Sequence, residues 1–554
     1  MLLSFTSIRS GLLPRAAWVF ALLSAALPAS AQSFEWAAPR AIAYASTPQM
    51  LHSAASVAPG GRCRWWASPE AHRLFYQNSM GPLRLIRQRA DGTMAHQQLI
   101  EGSACVHQVQ ATPDGGVLLL GEFKDSLVID AQHRYVNPFV NTGLTYFLTS
   151  LDSAGAVRWH RTLRPAAGPG LTLVQAANAV LLDPRGGSAW VGYDTFGDSY
   201  AMRVALTTGD SLSTIVQHGV SRITGLAVAP DGTVYTAGGC AEQSGVYNGT
   251  PMGLPPGLTY NTYVACYAPT GALRWVRHIE DVTCPAPSVA TADTTGVYFA
   301  GPLHGAWRFG AWQAALPGGG ASANDSYFLT RLDRRTGTFQ WLREAPAAGF
   351  SGNTQPAAFQ SLALDGAGNV WLLTTTTRTT AWPGFGPITS PVGGGAAVLA
   401  YDPAGTLRAV QVAGGESSVA HTLAIDPLTA QGIVAGLSPN GGVQFTPLAA
   451  LPMVAQTETQ LFTAGFRAVL APLGTRPPAT AAALNVYPNP AARGEALRLV
   501  GATGTIEVLD ATGRRVELVP AAALTAPRAA GLYLLRAHDP RGHTRVARLL
   551  VTHH

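Results

Sequence analysis

Lysine is all but missing from this chain. Lys124 is the only one among 37 basic residues, so nearly all the positive charge is arginine. Charge of either sign is scarce, at 12% of residues, for a formal balance of +6. The arginines are scattered and form no run that could track phosphates, which argues against nucleic acid as a partner. Only five cysteines occur, Cys63, Cys105, Cys240, Cys266 and Cys284. None stands in a CxxC pair, so a zinc framework is not expected. An odd count leaves at least one thiol unpaired. A Cys63–Cys105 bridge and buried free thiols both stay open at this point.

Chemistry-bearing motifs are missing too. There is no HExxH, no phosphate loop ending in GK[ST], and no acidic series of the EF-hand kind. The nearest approach to a nucleophile elbow, Gly415-Glu416-Ser417-Ser418-Val419, lacks the closing glycine. No catalytic residue, cofactor or metal ligand is therefore assigned. The histidines His107, His160, His278 and His304 are far apart in sequence, and loops gathered at one place could still bring them together. Helical hydrophobic periodicity is absent as well.

What is abundant is turn-forming residues. The chain has 60 glycines and 39 prolines, with 47% hydrophobic residues. That combination fits short strands joined by tight turns, and it does not fit disorder. A length of 554 residues exceeds what one core serves, so two or more units are expected.

The first 31 residues carry the three parts of a secretory signal. Arg9 and Arg15 supply the basic part, Ala16 to Leu27 the apolar part, and Ala29-Ser30-Ala31 the small-residue cleavage site. Cleavage is expected between Ala31 and Gln32. The apolar run is shorter than the ~20 residues that span a bilayer, and nothing later is apolar enough. No transmembrane segment is expected, and the mature protein should be soluble or surface-attached.

A cassette then repeats. It reads strand, Asp-Gly turn, strand of small residues, variable loop, aromatic strand, Gly turn, and a strand near Trp. The clearest copy runs from Leu226 to Val276 through Pro230-Asp231-Gly232 and ends on Trp275. Others run from Val106 to Trp159 and from Thr295 to Trp341. Weaker copies span Leu362–Leu407 and Leu423–Leu470, and one near Leu182–Val204 has no closing Trp. Residues 83–93 look like the second half of another unit. Asp114, Asp183, Asp231, Asp365 and Asp426 recur at the turns, where their side chains should bond the local backbone. Trp159, Trp275 and Trp341 are expected to pack between units. Trp65, Trp66, Trp307, Trp382 and Phe385 fall outside the cassette, where they either pack long loops or stack on sugars.

Each cassette makes a four-stranded antiparallel sheet, and only neighbours stacked around an axis bury both its faces. The expected fold is all-β: a β-propeller of about seven four-stranded blades over residues 32–474. A linear series of β-sandwiches is the competing architecture. Over residues 45–472 the cassette resembles the SBBP-type bacterial β-propeller repeats, loosely akin to NHL and PQQ-like propellers.

Residues 475–483 form a stiff Pro/Ala linker, and a small β-sandwich is expected over 484–554. It holds three motifs: Tyr487-Pro488-Asn489-Pro490, a strand ending at Asp510 followed by Gly513 and Arg514, and Gly531-Leu532-Tyr533. Together, at the extreme C-terminus, they resemble the type A sorting domain of the type IX secretion system of Bacteroidota. The resemblance implies the type IX secretion machinery as partner, passage across the outer membrane, and release or surface attachment. The expected function is a secreted or cell-surface scaffold for glycan or protein ligands. The alternative is a carbohydrate-active lyase or hydrolase with its site at the propeller funnel.

Overall fold

A computed structural model describes residues 34–43, 51–70, 73–75, 78–138, 143–164, 173–239, 241–254, 261–279, 288–290, 296–303, 305–315, 326–346, 354–356, 360–470, 484–500, 505–510, 514–538 and 544–552. The signal segment with Ala31 and Gln32, the linker 475–483, His304 and Gly513 lie outside these residues. The chain divides into two compact units, Met1–Leu470 and Ala471–His554.

The first unit is a β-propeller, nearly all strand. Its pairings separate into seven four-stranded antiparallel sets among the described residues. Blade 1 holds Ala54–Val57, Arg64–Pro69, Asn78–Gln88 and the first half of Met94–Ala111. The second half of that long strand begins blade 2, which continues with Val117–Val128, Thr145–Leu151 and Val157–Thr162. Blade 3 holds Ala176–Leu182, Ser188–Asp194, Asp198–Ala205 and Ser211–Val220. Blade 4 holds Gly225–Val228, Val234–Gly239, Thr262–Tyr267 and Leu273–Ile279. Blade 5 holds Ser288–Ala290, Gly296–Leu303, Ser326–Asp333 and Phe339–Glu344. Blade 6 holds Leu362–Leu364, Val370–Thr376, Gly395–Tyr401 and Leu407–Val412.

Blade 7 takes three strands from the end of the unit, Val419–Asp426, Gln431–Ser438 and Glu458–Arg467, and its outer strand, Phe34–Ala43, from the beginning. The innermost strands touch in chain order, and the last touches the first. The sheets therefore close into a ring, which leaves no blade with an uncovered face. A linear series of sandwiches is not formed.

The core follows from that closure. The propeller has no single hydrophobic centre but seven buried clusters, each shared by two adjacent blades. Second and third strands such as Val234–Gly239 and Thr262–Tyr267 are buried along their whole length, because both faces of the sheet are covered. Continuous burial explains why these strands carry apolar and small residues at successive positions without charged ones between them.

The closing tryptophans lock neighbours together. Trp159 Nε1 donates to the Leu206 carbonyl of blade 3 (2.8 Å), Trp275 to Arg334 of blade 5 (3.1 Å), and Trp341 to Pro403 of blade 6 (3.1 Å). Each indole lies on a glycine of the next blade's outer hairpin: Gly209, Gly337 or Gly405. Two residues on, an arginine caps the same glycine carbonyl, as Arg161 does at 3.0 Å, Arg277 at 3.0 Å and Arg343 at 2.6 Å. Trp36 repeats the arrangement at the seam, donating to the Ala90 carbonyl and covering Gly92 of blade 1. Gly337 has φ +70°, and a Cβ there would stand 2.6 Å from the Trp275 ring. Gly186 has φ +83° but open space around it. Gly337→Ala should therefore cost ~2–3 kcal/mol in urea unfolding, against ~1 kcal/mol for Gly186→Ala.

The recurrent aspartates bond their own turns. Asp231 Oδ1 accepts from Thr233 N at 2.9 Å, and Asp365 Oδ1 accepts from the Ala367 and Asn369 amides, both at 2.9 Å. Asp183 and Asp365 also accept the indole N–H of Trp190 (3.2 Å) and Trp371 (3.0 Å). Trp65, Trp66, Trp307 and Trp382 are buried and Phe385 packs against the core between blades 5 and 6, so these aromatics pack the structure. Cys63, Cys105 and Cys266 are buried free thiols, which removes the Cys63–Cys105 bridge.

The second unit is a small, mainly antiparallel sandwich of a two-stranded and a five-stranded sheet. Ile506, Val508, Tyr533, Leu535, Leu549 and Val551 point inward to a core of its own. Among the described residues of the chain, no helix is long and apolar enough to cross a membrane.

Candidate functional site

Antiparallel pairing puts the connections of each blade on two faces. Those joining first to second and third to fourth strands hold only four to six residues each, as in 112–116, 229–233 and 402–406. The others lie on the opposite face and vary widely, from three residues in 195–197 to 22 each in 240–261 and 304–325. Short hairpins such as Thr379–Trp382 with Gly386–Thr389 are built within them. One face is thus made of uniformly tight turns, and the other carries all the length variation. Binding residues on a rigid scaffold concentrate on the second kind.

The channel beneath that face is walled by the innermost strands, and three of these carry a β-bulge. The extra residues are His107 in blade 2, Asn178 in blade 3 and His421 in blade 7. A bulge re-aims a side chain that the pleat would send elsewhere. No sequence signal marks these positions.

Around the channel, polar side chains form two groups. Gln108 Nε2 donates to Gln360 Oε1 at 2.9 Å, and Val180 N donates to Gln108 Oε1 at 2.6 Å. Because Gln108 comes from blade 2 and Gln360 from the entry to blade 6, this bond crosses the channel. On the side of blades 3 to 5 lies a cavity of about 230 Å³, lined by Gln108, Asn178, Thr224, Ser288 and Gln360 among apolar neighbours. That is small beside the ~300–1,000 Å³ of typical ligand sites.

On the side of blades 7, 1 and 2 lie three histidines, the buried His107 and His421 and the half-buried His52. The His52 ring centroid stands 6.4 Å from that of His107 and 6.3 Å from that of His421. Ser53 donates its backbone N–H to His421 Nδ1 (3.3 Å), and its Oγ lies 3.1 Å from the same nitrogen. A backbone N–H can only donate, so neutral His421 carries its proton on Nε2. His107 Nε2 lies 3.5 Å from the fully buried carboxylate of Glu122. Burial lowers the pKa of His421 to about 4. Burial, followed by the charges His421 and His107 would carry, holds His52 well below the ordinary value. Burial and the neighbouring Glu122 push the Tyr146 phenol up. At neutral pH His52 and His421 are therefore uncharged hydrogen-bonding groups. Among the described residues, no three His, Cys, Asp or Glu side chains are arranged to hold a metal ion.

Of the three described histidines named from sequence, only His107 joins this cluster. His160 stacks on Tyr135 at 3.6 Å and pairs with Thr149, while His278 pairs with Asn261. Sequence reasoning passed over His52. His421 carries no motif of its own, and Ser418 Oγ of the broken nucleophile motif accepts the Ala396 amide.

In the second unit, the motif residues build the sandwich. The Asn489 carboxamide bridges the backbone of the last strand, donating to Arg548 O (2.8 Å) and accepting from Leu550 N (2.9 Å). Tyr487, Pro488 and Pro490 are exposed around it. Asp510 Oδ1 accepts the Arg514 amide at 3.0 Å. Gly531 starts the strand on which Leu532 faces outward and Tyr533 inward, its hydroxyl donating to Ala529 O at 2.9 Å.

No family model matches this chain, and no curated protein matches it either. Among solved structures it is similar to the Dos1 propeller, at 10% identity and a TM-score of 0.37, over 76% of this chain and 94% of that one. It is also similar to the β-propeller domain of the Trilobed protease from Pyrococcus furiosus, at 6% identity and a TM-score of 0.36, over 71% and 91%. A protein from Lactobacillus plantarum gives 12%, 0.37, 68% and 94%. The fold stands on the strand pairings described above.

Proposed function

We propose that this chain is an exported β-propeller that binds glycan or protein ligands on its loop-bearing face at the cell surface or outside the cell. One observation carries this reading: every long connection of the propeller opens on one face, while the other face is reduced to tight turns. In this reading, residues 1–31 are a signal peptide cleaved between Ala31 and Gln32. The unit around Tyr487–Pro490, Asp510–Arg514 and Gly531–Tyr533 is a type A sorting domain of the type IX secretion system, as in Bacteroidota. The propeller is then an SBBP-like repeat domain. The separate core of the second unit supports a detachable module.

Two measurements test it. Removal of residues 484–554 should hold the protein in the periplasm in a host with the type IX machinery; undiminished surface display or secretion sinks the sorting assignment. An array of polysaccharides and surface proteins, probed with the full chain, should give saturable binding that loop exchanges on the long-connection face abolish.

The enzyme reading has one observation in its favour, the grouping of His52, His107, His421 and Glu122 beside the channel. Release of new reducing ends from a bound polysaccharide would establish it, and binding without turnover would retire it.

A further inference from the structure

We infer that the cavity between the Gln108–Gln360 bond and blades 3 to 5 receives an uncharged sugar residue of a saccharide ligand. The inference rests on the proposal that this propeller binds a ligand, and it names the chemical class. None of the residues lining the cavity is ionisable. A charged ligand would be stripped of water there with no opposite charge to meet it. A purely apolar ligand would leave the Asn178 carboxamide and the Gln360 N–H donors unmatched. A polyhydroxyl ligand meets both conditions, because each hydroxyl donates and accepts.

The lining is built for such a guest. The Asn178 bulge delivers a carboxamide to the cavity wall, and among the described residues that side chain makes no hydrogen bond. It offers two donors and an acceptor. Gln360 is held through Oε1 by Gln108, so its orientation is fixed and its own two N–H donors remain for a ligand. The Ser288 hydroxyl is positioned by Ser361 Oγ at 3.0 Å. Leu226, Leu362 and Leu364 complete the wall as apolar surface for the C–H faces of a ring. The volume of about 230 Å³ equals that of roughly eight waters at ~30 Å³ each, enough for one pyranose unit and not for a chain. The site would therefore take a terminal residue, with the rest of the glycan leaving across the loops.

The test uses the full chain and calorimetric titration. Neutral glucan, xylan and mannan oligosaccharides are compared with galacturonate oligosaccharides. At least one neutral series should bind, with the galacturonates failing to compete. Asn178→Ala and Gln360→Leu should each weaken binding about tenfold, as expected for losing one or two hydrogen bonds to a sequestered ligand; Asn178→Ala should leave the melting temperature of the free protein unchanged, whereas Gln360→Leu also removes the acceptor of Gln108 and should lower it. Should Asn178→Ala fail to fold, the isosteric Asn178→Asp and Gln360→Leu carry the comparison. Neutral sugars bound equally well by wild type and both variants would overturn the cavity assignment while the binding function stood. Binding of galacturonates or proteins alone would overturn the assignment in the same way. If no ligand of any class binds, both fall together.

Discussion

Deleting Phe34–Ala43 abolishes cooperative unfolding of the propeller and leaves a chain that self-associates, as read by circular dichroism melting and size-exclusion chromatography. The strand is short, but it pairs with Glu458–Arg467 over its whole length. It also brings Phe34 into the cluster between blades 6 and 7 and Ile42 into the cluster between blades 7 and 1. Without it, the strand carrying Leu461, Phe462, Ala464 and Phe466, all fully buried, becomes an open edge. Such an edge is a template for pairing with another chain. The single change Trp36→Ala removes only the seam's indole, which covers Gly92 and donates to Ala90 O. It should lower stability by ~2 kcal/mol and keep the ring closed. A deletion variant that still melts in one sharp monomeric transition would show that the seam does not hold the ring.

Acid should weaken the fold in two stages. Burial lowers His160, His278 and His421 to about 4, against 6.5 for an exposed imidazole. As pH falls from about 6.5 to about 4, the unfolded chain takes up protons that the folded chain refuses, so stability falls through that window and levels off below it. Each group contributes at most ~3 kcal/mol, which together is a large share of a typical ~5–15 kcal/mol. Below that window, Asp183 and Asp231 add a second loss. Their turn and arginine hydrogen bonds outweigh the opposing effect of burial and hold both carboxyls near 2 in the folded state. Their contribution is present above the usual value of 3.8 and disappears toward pH 2. Buried Asp194, whose pKa burial raises well above 3.8, acts in the opposite sense. Urea midpoints at several pH values follow this directly. His421→Gln should flatten the upper stage, and an unchanged slope would remove His421 from it.

Much of the propeller was legible because its punctuation is local. Asp-Gly turns and the closing Trp159, Trp275 and Trp341 each act within a few residues or on the next hairpin, so they recur visibly. Blade 1 read only as a half unit because its inner strand, Ala54–Val57, follows a loop and carries no Asp-Gly turn. Trp36 went unrecognised because its strand lies at the far end of the sequence from the blade it completes, and the arginine that elsewhere follows two positions on is Ala38 there. The channel was hidden for a different reason. His107, Asn178 and His421 reach it on bulges, and a bulge is one extra residue in a strand without a residue preference strong enough to see. His160 and His278 looked equivalent to His107, but they sit on outer strands, half-buried beside Thr149 and Asn261 and away from the channel.

The seam has a consequence for the order of events during synthesis. Glu35 and its partner Arg467 are 432 positions apart. The first strand to emerge must wait, unpaired and partly apolar, for almost the whole propeller to follow. Contacts of such sequence separation form slowly, and partially assembled β-sheets are prone to aggregate. A chain that threads a membrane before its last blade is complete would cross as an open arc and snap shut only on the far side.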